Sequence, residues 1–325
     1  MAASAEHVRA LVEAHAAGDD RGFYSVALQV AATEARQGHT RAAASLRDFI
    51  DATRKSRVRR LEPVASPPPE GELAGMLSHN HPEYGLDQMT LDPEVRMHLD
   101  RVLSEQRQRG KLADFGFSPA HRMLLTGPPG TGKSMSASAM AHELGLPLYT
   151  IRLDGLISRF MGETAAKLRM VFDAVERTRA VYLFDEFDAL GAERIAGNDV
   201  GEARRILNSF LLFLDELEPR SLVIAATNHA GILDRALFRR FDLVVGYDRP
   251  SRSEAVEILR RRLSVMDTSR VSWAEVASGT TGLSHAELVA AAESAAKQAI
   301  LGGSDVIDPA VLDRALAERR ATAGA

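Results

Sequence analysis

Gly127, Pro128, Pro129, Gly130, Thr131, Gly132, Lys133 and Ser134 spell G-x-x-x-x-G-K-[ST] in full, the pattern that wraps a loop around phosphate oxygens. The glycines let the backbone curl until its N–H groups point inward. Lys133 brings a point charge to the terminal phosphates of a nucleoside triphosphate, and Ser134 brings a hydroxyl to Mg2+. The helix that opens here, Ser134 to Leu144 with Met135 in its first turn, adds a favourable dipole. A second pattern lies downstream, where the apolar run Ala180–Phe184 ends in Asp185 and Glu186. A buried strand with this ending sets both carboxylates at the sheet edge where open α/β sheets take ligands. Asp185 suits the Mg2+ shell and Glu186 suits an attacking water. Phosphoryl transfer needs little beyond such positioning and charge. The plain alternative is an acidic turn that only caps the next helix.

Those residues need a sheet to hold them. Short apolar runs at 121–125, 148–152, 180–184, 221–226 and 242–246 read as buried strands, and helical patterns separate most of them. Such alternation predicts a parallel sheet covered by helices on both faces. This α/β domain spans 89–248. From 249 to 325 the pattern is helical, a small lid containing the single Trp273 as a core residue. Residues 1–60 are Ala-rich with apolar positions at helical spacing, a helical module broken near Gly18 and Gly38. The stretch 61–88 is a linker, introduced by a basic run at 54–60 and by Pro67, Pro68 and Pro69. His79 and His81 fall in that linker as an ordinary polar loop, since two ligands without company make a poor metal site.

Composition narrows the function classes. Among 325 residues, 45% are hydrophobic, and 40 Lys plus Arg against 44 Asp plus Glu leave a net charge of −4. That balance exerts no global pull on nucleic acid or anionic membrane. The basic run carries no interleaved aromatic platform for bases. There is no cysteine, which excludes disulfide scaffolds, Cys-ligated zinc and thiol catalysis. The first residues lack a secretory pattern, and no run approaches the roughly 18 apolar residues of a membrane span. A soluble cytoplasmic protein is expected.

The ordered motifs resemble those of AAA+ ATPases, and within them the AAA family proper, over about Leu112 to Leu288. The resemblance implies ATP and Mg2+ as ligands. Thr227-Asn228 resembles the first sensor, where Asn228 would hold the attacking water and γ-phosphate. The segment 233–242 resembles the arginine-finger segment, with Arg239 and Arg240 adjacent as in the katanin-like and spastin-like branch. A finger from a neighbouring subunit implies a homo-oligomer, by resemblance a hexamer. The segment Gly282–Leu288 resembles the second-sensor region, whose backbone lies near the adenine. Here His285 replaces a glycine.

Phe160 and Met161, followed by Gly162 and Glu163, resemble the first pore loop of AAA unfoldases. An aromatic ring and a flexible thioether would grip varied side chains. Residues 192–202 resemble the second pore loop. Arg204 and Arg205 are either interface arginines or part of a solvated helix face. The resemblance thus implies ATP hydrolysis coupled to remodelling of a protein substrate, with the N-terminal helices selecting a target or adaptor. Two other readings stay open: an ATP-dependent assembly switch for a partner such as a protease, and a nucleic-acid motor, against which Phe160 and Met161 argue. No His-Glu-x-x-His occurs, so no zinc-protease signature accompanies the ATPase.

Overall fold

The structure is a computed structural model that describes residues 73–151, 163–188, 200–232 and 235–323, with positions 9, 26, 27, 30, 31 and 33 near the N-terminus. The chain divides into two compact units, 1–62 and 63–325. In the first, the described positions are helical, and Ala27, Val30 and Ala31 are buried at helical spacing. The remainder of the N-terminal module, the basic run, Phe160, Met161 and residues 192–199 lie outside the described residues.

The second unit is built on a six-stranded sheet of order β1-β3-β4-β5-β2-β6. The strands are β1 (Leu77–Asn80), β2 (Arg122–Thr126), β3 (Leu148–Ile151), β4 (Val181–Phe184), β5 (Leu222–Thr227) and β6 (Leu243–Gly246). Five are parallel, and all five were expected from their apolar runs. The sixth was not: β1 pairs antiparallel with β3, Leu77 opposite Ile151 and Asn80 opposite Leu148. The sheet is therefore mixed, and part of the expected linker forms its edge. His79 sits in that strand, its ring edge-on to His81 at 4.8 Å.

Alternation sorts each strand onto two faces. Met123, Leu125, Val181, Leu183 and Ile224 pack toward α1 (Pro93–Arg107) and α3 (Lys133–Leu144). Leu124, Tyr182, Phe184 and Val223 pack toward α4 (Glu163–Arg177) and α5 (Val200–Glu216). Between α1 and β2 lies the short α2 (Arg109–Asp114). The crossover after β2 runs through α3 on one face, and those after β3 and β4 run through α4 and α5 on the other. This reversal opens a crevice at the carboxyl end of β2.

Four helices follow: α6 (Arg252–Arg262), α7 (Trp273–Gly279), α8 (His285–Leu301) and α9 (Pro309–Ala323). They enclose a separate core that includes Leu259, Leu263, Leu288 and Leu316, and Trp273 packs against it with the Arg260 guanidinium 5.1 Å over its ring. Capping boxes start two of these helices, Ser251 with Glu254 on α6 and Ser284 with Glu287 on α8. Each satisfies two otherwise orphaned N–H groups.

One polar corner ties β2 to β6. Asp242 accepts from the backbone N–H groups of His121 and Arg122 and pairs with the Arg122 guanidinium at 2.6 Å. Burial raises its pKa, but the Arg122 and His121 hydrogen bonds and the nearby His121 ring outweigh that and hold it below the ordinary carboxylate value. A depressed folded pKa gives stability that is present above the unfolded pKa and is lost as pH falls through the folded one. Asp242→Asn should therefore cost about 2 kcal/mol at neutral pH, and the gap to the wild type should shrink below about pH 4. Urea titrations at several pH values measure both.

Candidate nucleotide site

The loop 127–132 leaves β2 at the crevice and enters α3. Gly127 has φ +141°, and a Cβ there would stand 2.0 Å from the Tyr247 carbonyl oxygen. No side chain fits, because β6 continues directly beneath the loop, with the Tyr247 N–H bonded to Thr126 O at 2.7 Å. Gly132, at φ +97°, begins α3 in the left-handed region. Thr131 is buried and donates to Pro128 O at 2.8 Å, which closes the loop on itself. Gly127→Ala combines backbone strain with a clash, so a loss of about 2–6 kcal/mol is expected. Denaturant unfolding checks the loss, and nucleotide affinity should fall with it.

Lys133 is buried and reaches back under the loop. Its Nζ donates to Gly127 O (2.7 Å), Pro128 O (2.8 Å) and Asn228 Oδ1 (2.8 Å). Burial lowers its pKa, while Asp185 and Asp188 oppose that shift. Ser134, one residue on, donates to Asp185 Oδ2 at 2.7 Å. The loop of β2, the end of β4 and the end of β5 thus meet at one point.

Glu186 is the one residue other than glycine with positive φ (+50°) among the described residues. Its neighbours force this turn. Phe187 is wholly buried, its N–H bonded to Ala226 O at 2.8 Å, and the Glu186 N–H is held by Asp185 Oδ1 at 3.0 Å. Anchoring Phe187 in the core leaves the Glu186 carboxylate exposed at the rim. Such strain persists only when the surroundings over-determine it, and it recurs at functional sites.

Asp188 is a site residue that the sequence reading missed. Its Oδ1 accepts from Thr227 Oγ1 (3.0 Å) and from the Asn228 N–H (3.2 Å), fixing the end of β5. Lys133 holds the Asn228 side chain from the other side. The only available signal was a third carboxylate three residues after Asp185.

The lid touches the loop directly. The Ala286 N–H donates to Gly130 O at 3.0 Å, and a Cβ on Gly130 would stand 2.8 Å from Ser284 Oγ. His285 Nε2 lies 3.2 Å from Thr90 O and so carries the proton. Burial lowers its pKa. It joins the start of α8 to the segment before α1, and the adjacent cleft of about 360 Å3 is walled by Leu91, Thr131, Tyr247, Glu254 and His285. Gly282, at φ +85°, serves the turn into α8 and has open space around it. Met135 is half exposed on α3. Arg239 and Arg240 are not brought into this group: they precede β6 at the amino end of β2, opposite the loop, and both are exposed. Arg240 pairs with Asp215 of α5, whereas Arg239 has no ionic partner among the described residues.

The model of the ATPase family associated with various cellular activities matches residues 123–249, which span the loop and every strand-end group just described. An uncharacterized AAA family ATPase, y4kL, of Sinorhizobium fredii (strain NBRC 101917 / NGR234) is 34% identical over 314 residues, covering 94% of this chain and 93% of that protein. This chain belongs to the AAA family of ATPases. ATP-dependent zinc metalloprotease FtsH 4 of Sphaerobacter thermophilus is 34% identical over 235 residues, 69% of this chain and 35% of that protein. FtsH of Bacillus subtilis (strain 168) is 34% identical over 231 residues, 68% of this chain and 36% of that protein. The chain therefore spans about a third of the length of these FtsH relatives.

AAA ATPases use ATP, usually with Mg2+, and the residues of this AAA domain fit both. A glycine cradle that a Cβ would fill and a buried lysine closing on loop carbonyls suit a polyphosphate. Ser134 Oγ and Asp185 Oδ2, already adjacent, are hard oxygen donors of the kind Mg2+ takes alongside phosphate oxygens. Among the described residues, no helix is long and apolar enough to cross a membrane.

Proposed function

We propose that this chain hydrolyses ATP at a site shared between neighbouring copies of a ring, a hexamer by family resemblance, and uses the turnover to remodel a protein substrate. The observation that carries the hydrolytic reading is the meeting of Lys133, Ser134, Asp185 and Asn228 within 2.8 Å hydrogen bonds, with the strained Glu186 at its rim. The loop N–H groups and Lys133 bind the phosphates. Ser134 and Asp185 would hold Mg2+, which would supply positive charge against the phosphates. Glu186 orients the attacking water and takes its proton. Asn228, gripped by Lys133 and Asp188, keeps that water and the γ-phosphate in register. Arg239 reaches the γ-phosphate of the next copy, where a guanidinium stabilises charge as it develops.

Support for a protein substrate comes from two sources. The FtsH relatives are named ATP-dependent proteases, and their likeness covers about two thirds of this chain. The chain's own Phe160 and Met161 suit a grip on varied side chains. Addition of a permanently unfolded protein should raise ATP turnover several-fold, and a folded reporter with an unstructured tail should lose its fold in an ATP-dependent way. Phe160→Ala should remove both responses. Turnover indifferent to any polypeptide would favour an assembly switch instead.

A further inference from the structure

A cluster of arginines lies at the amino ends of β4 and β5, the end of the sheet opposite the phosphate loop. Val181 pairs with Leu222 across these strands, so Arg179 and Arg220, each two residues earlier, enter side by side. Their backbones are fixed: the Leu222 N–H donates to Ala180 O at 3.0 Å, and the Ala180 N–H donates to Ser221 Oγ at 3.3 Å. Arg109 of α2 reaches into the same corner, its Nη1 donating to Arg220 O at 3.4 Å. Arg109 and Arg179 are half-buried, whereas Arg220 is exposed. The Arg179 Nε is buried without a hydrogen-bond partner. Buried donors are normally paired, and an orphan calls for an ion or a water. Burial first, and then the Arg109 charge, lower the Arg179 pKa.

The other charges around the corner do not neutralise this pair. Glu218 pairs with Arg220 at 2.9 Å. Glu105 accepts from the Ala120 N–H at 2.8 Å and pairs with Arg101 at 3.5 Å. Asp173 and Glu216 are taken by Arg169, and Asp215 and Asp242 by Arg240 and Arg122. Asp114 at the end of α2 and Glu176 near the end of α4 are exposed, and among the described residues neither pairs with a cation. Lys111 and Arg177 are exposed as well and add positive charge. Arg109 and Arg179 thus have no carboxylate partner among the described residues. Two guanidinium groups half withdrawn from water repel each other more than they would in solvent. An anion between them removes that repulsion, and their planar forks of N–H donors match the oxygens of a phosphate.

We propose that Arg109 and Arg179 form a binding site for a phosphate-sized oxyanion, with Arg220 at its rim. The ligand accepts from the orphaned Arg179 Nε and from the Arg109 guanidinium at once. It ties α2 to the entries of β4 and β5, the strands whose far ends carry Asp185 and Asn228. The length of the sheet separates this site from the phosphate loop, so it fills independently of ATP. Free phosphate and a small phosphate monoester offer the same oxygens.

Calorimetric titration of the full chain carrying Lys133→Ala, which weakens phosphate binding at the loop, tests the site. Inorganic phosphate should bind with a dissociation constant of about 1 mM or tighter, and chloride at equal ionic strength should not replace it. The thermal midpoint should rise by about 3 °C at ten times that concentration. Adding Arg109→Gln or Arg179→Gln should weaken binding by about tenfold or abolish it. Arg109→Gln lies on the outer helix α2, so it keeps the test open if Arg179→Gln fails to fold. Glycerol 1-phosphate separates the two sources: binding as tight as phosphate means that an ester is admitted, and no binding restricts the site to the free ion, either of which keeps the oxyanion site. Heats that do not saturate below about 10 mM phosphate, or an affinity that neither substitution changes, would overturn the proposal.

Discussion

Glu186→Gln should lower ATP turnover by about 10²–10⁴-fold while nucleotide affinity stays near the wild-type value. The amide matches the carboxylate in size, and the side chain is exposed, so packing offers it nothing to lose. What disappears is the ability to accept a proton from water. Affinity is expected to survive because the groups under the loop, Lys133, Ser134 and Asp185, keep all their bonds. A second substitution separates chemistry from backbone strain. Glu186 sits at φ +50°, a conformation that costs a residue with a Cβ about 1–2 kcal/mol and costs glycine almost nothing. Glu186→Gly should therefore unfold at higher denaturant concentration than the wild type and still be inactive. Phosphate release, nucleotide titration and urea unfolding on the three chains test the set. Unchanged turnover in the Gln variant would remove Glu186 from the catalytic role. A Gly variant of lower stability would mean that the turn is held by contacts of the glutamate side chain.

The legibility of this site in the sequence followed its continuity along the chain. The phosphate loop is eight consecutive residues whose types state their own geometry, and β4 with Asp185 and Glu186 is a buried run with a charged end. Strands β2 to β5 were readable because burial on both faces leaves them almost wholly apolar, and β6, a half-exposed edge strand, because its run Leu243, Val244 and Val245 is apolar all the same. Strand β1 was not. Its residues Leu77, Ser78, His79 and Asn80 are mostly polar, since an edge strand is half exposed, and its pairing with β3 depends on a partner some seventy positions away. Asp188 escaped notice for a related reason. An acid after a strand looks like any helix-opening residue until β5 is known to lie beside β4, which brings Thr227 and Asn228 to it. The adjacency of Arg239 and Arg240 was visible, but their inequality was not, because it depends on Asp215 of α5.

That inequality leads to the second large effect. Arg240 pairs with Asp215, which also lies 3.8 Å from Arg122, and Arg122 in turn pairs with Asp242. A guanidinium engaged in that corner is committed to its own subunit. Arg239, exposed and without an ionic partner among the described residues, is the one available to a neighbour. In the proposed ring, Arg239→Ala should lower turnover by about 10³–10⁵-fold, the range for losing an arginine finger, with no change in unfolding midpoint. Arg240→Ala should lower stability by at most about 1 kcal/mol, as for other exposed pairs, and should weaken turnover far less. Mixing decides whether the finger acts across the interface. Arg239→Ala chains keep an intact loop and Lys133→Ala chains keep an intact finger, so rings containing both should recover part of the activity that neither has alone. Mixed rings with no recovery would place Arg239 outside the neighbouring site. Loss of turnover in Arg240→Ala but not in Arg239→Ala would exchange the two roles and imply that the Asp215 pair opens when a neighbour binds.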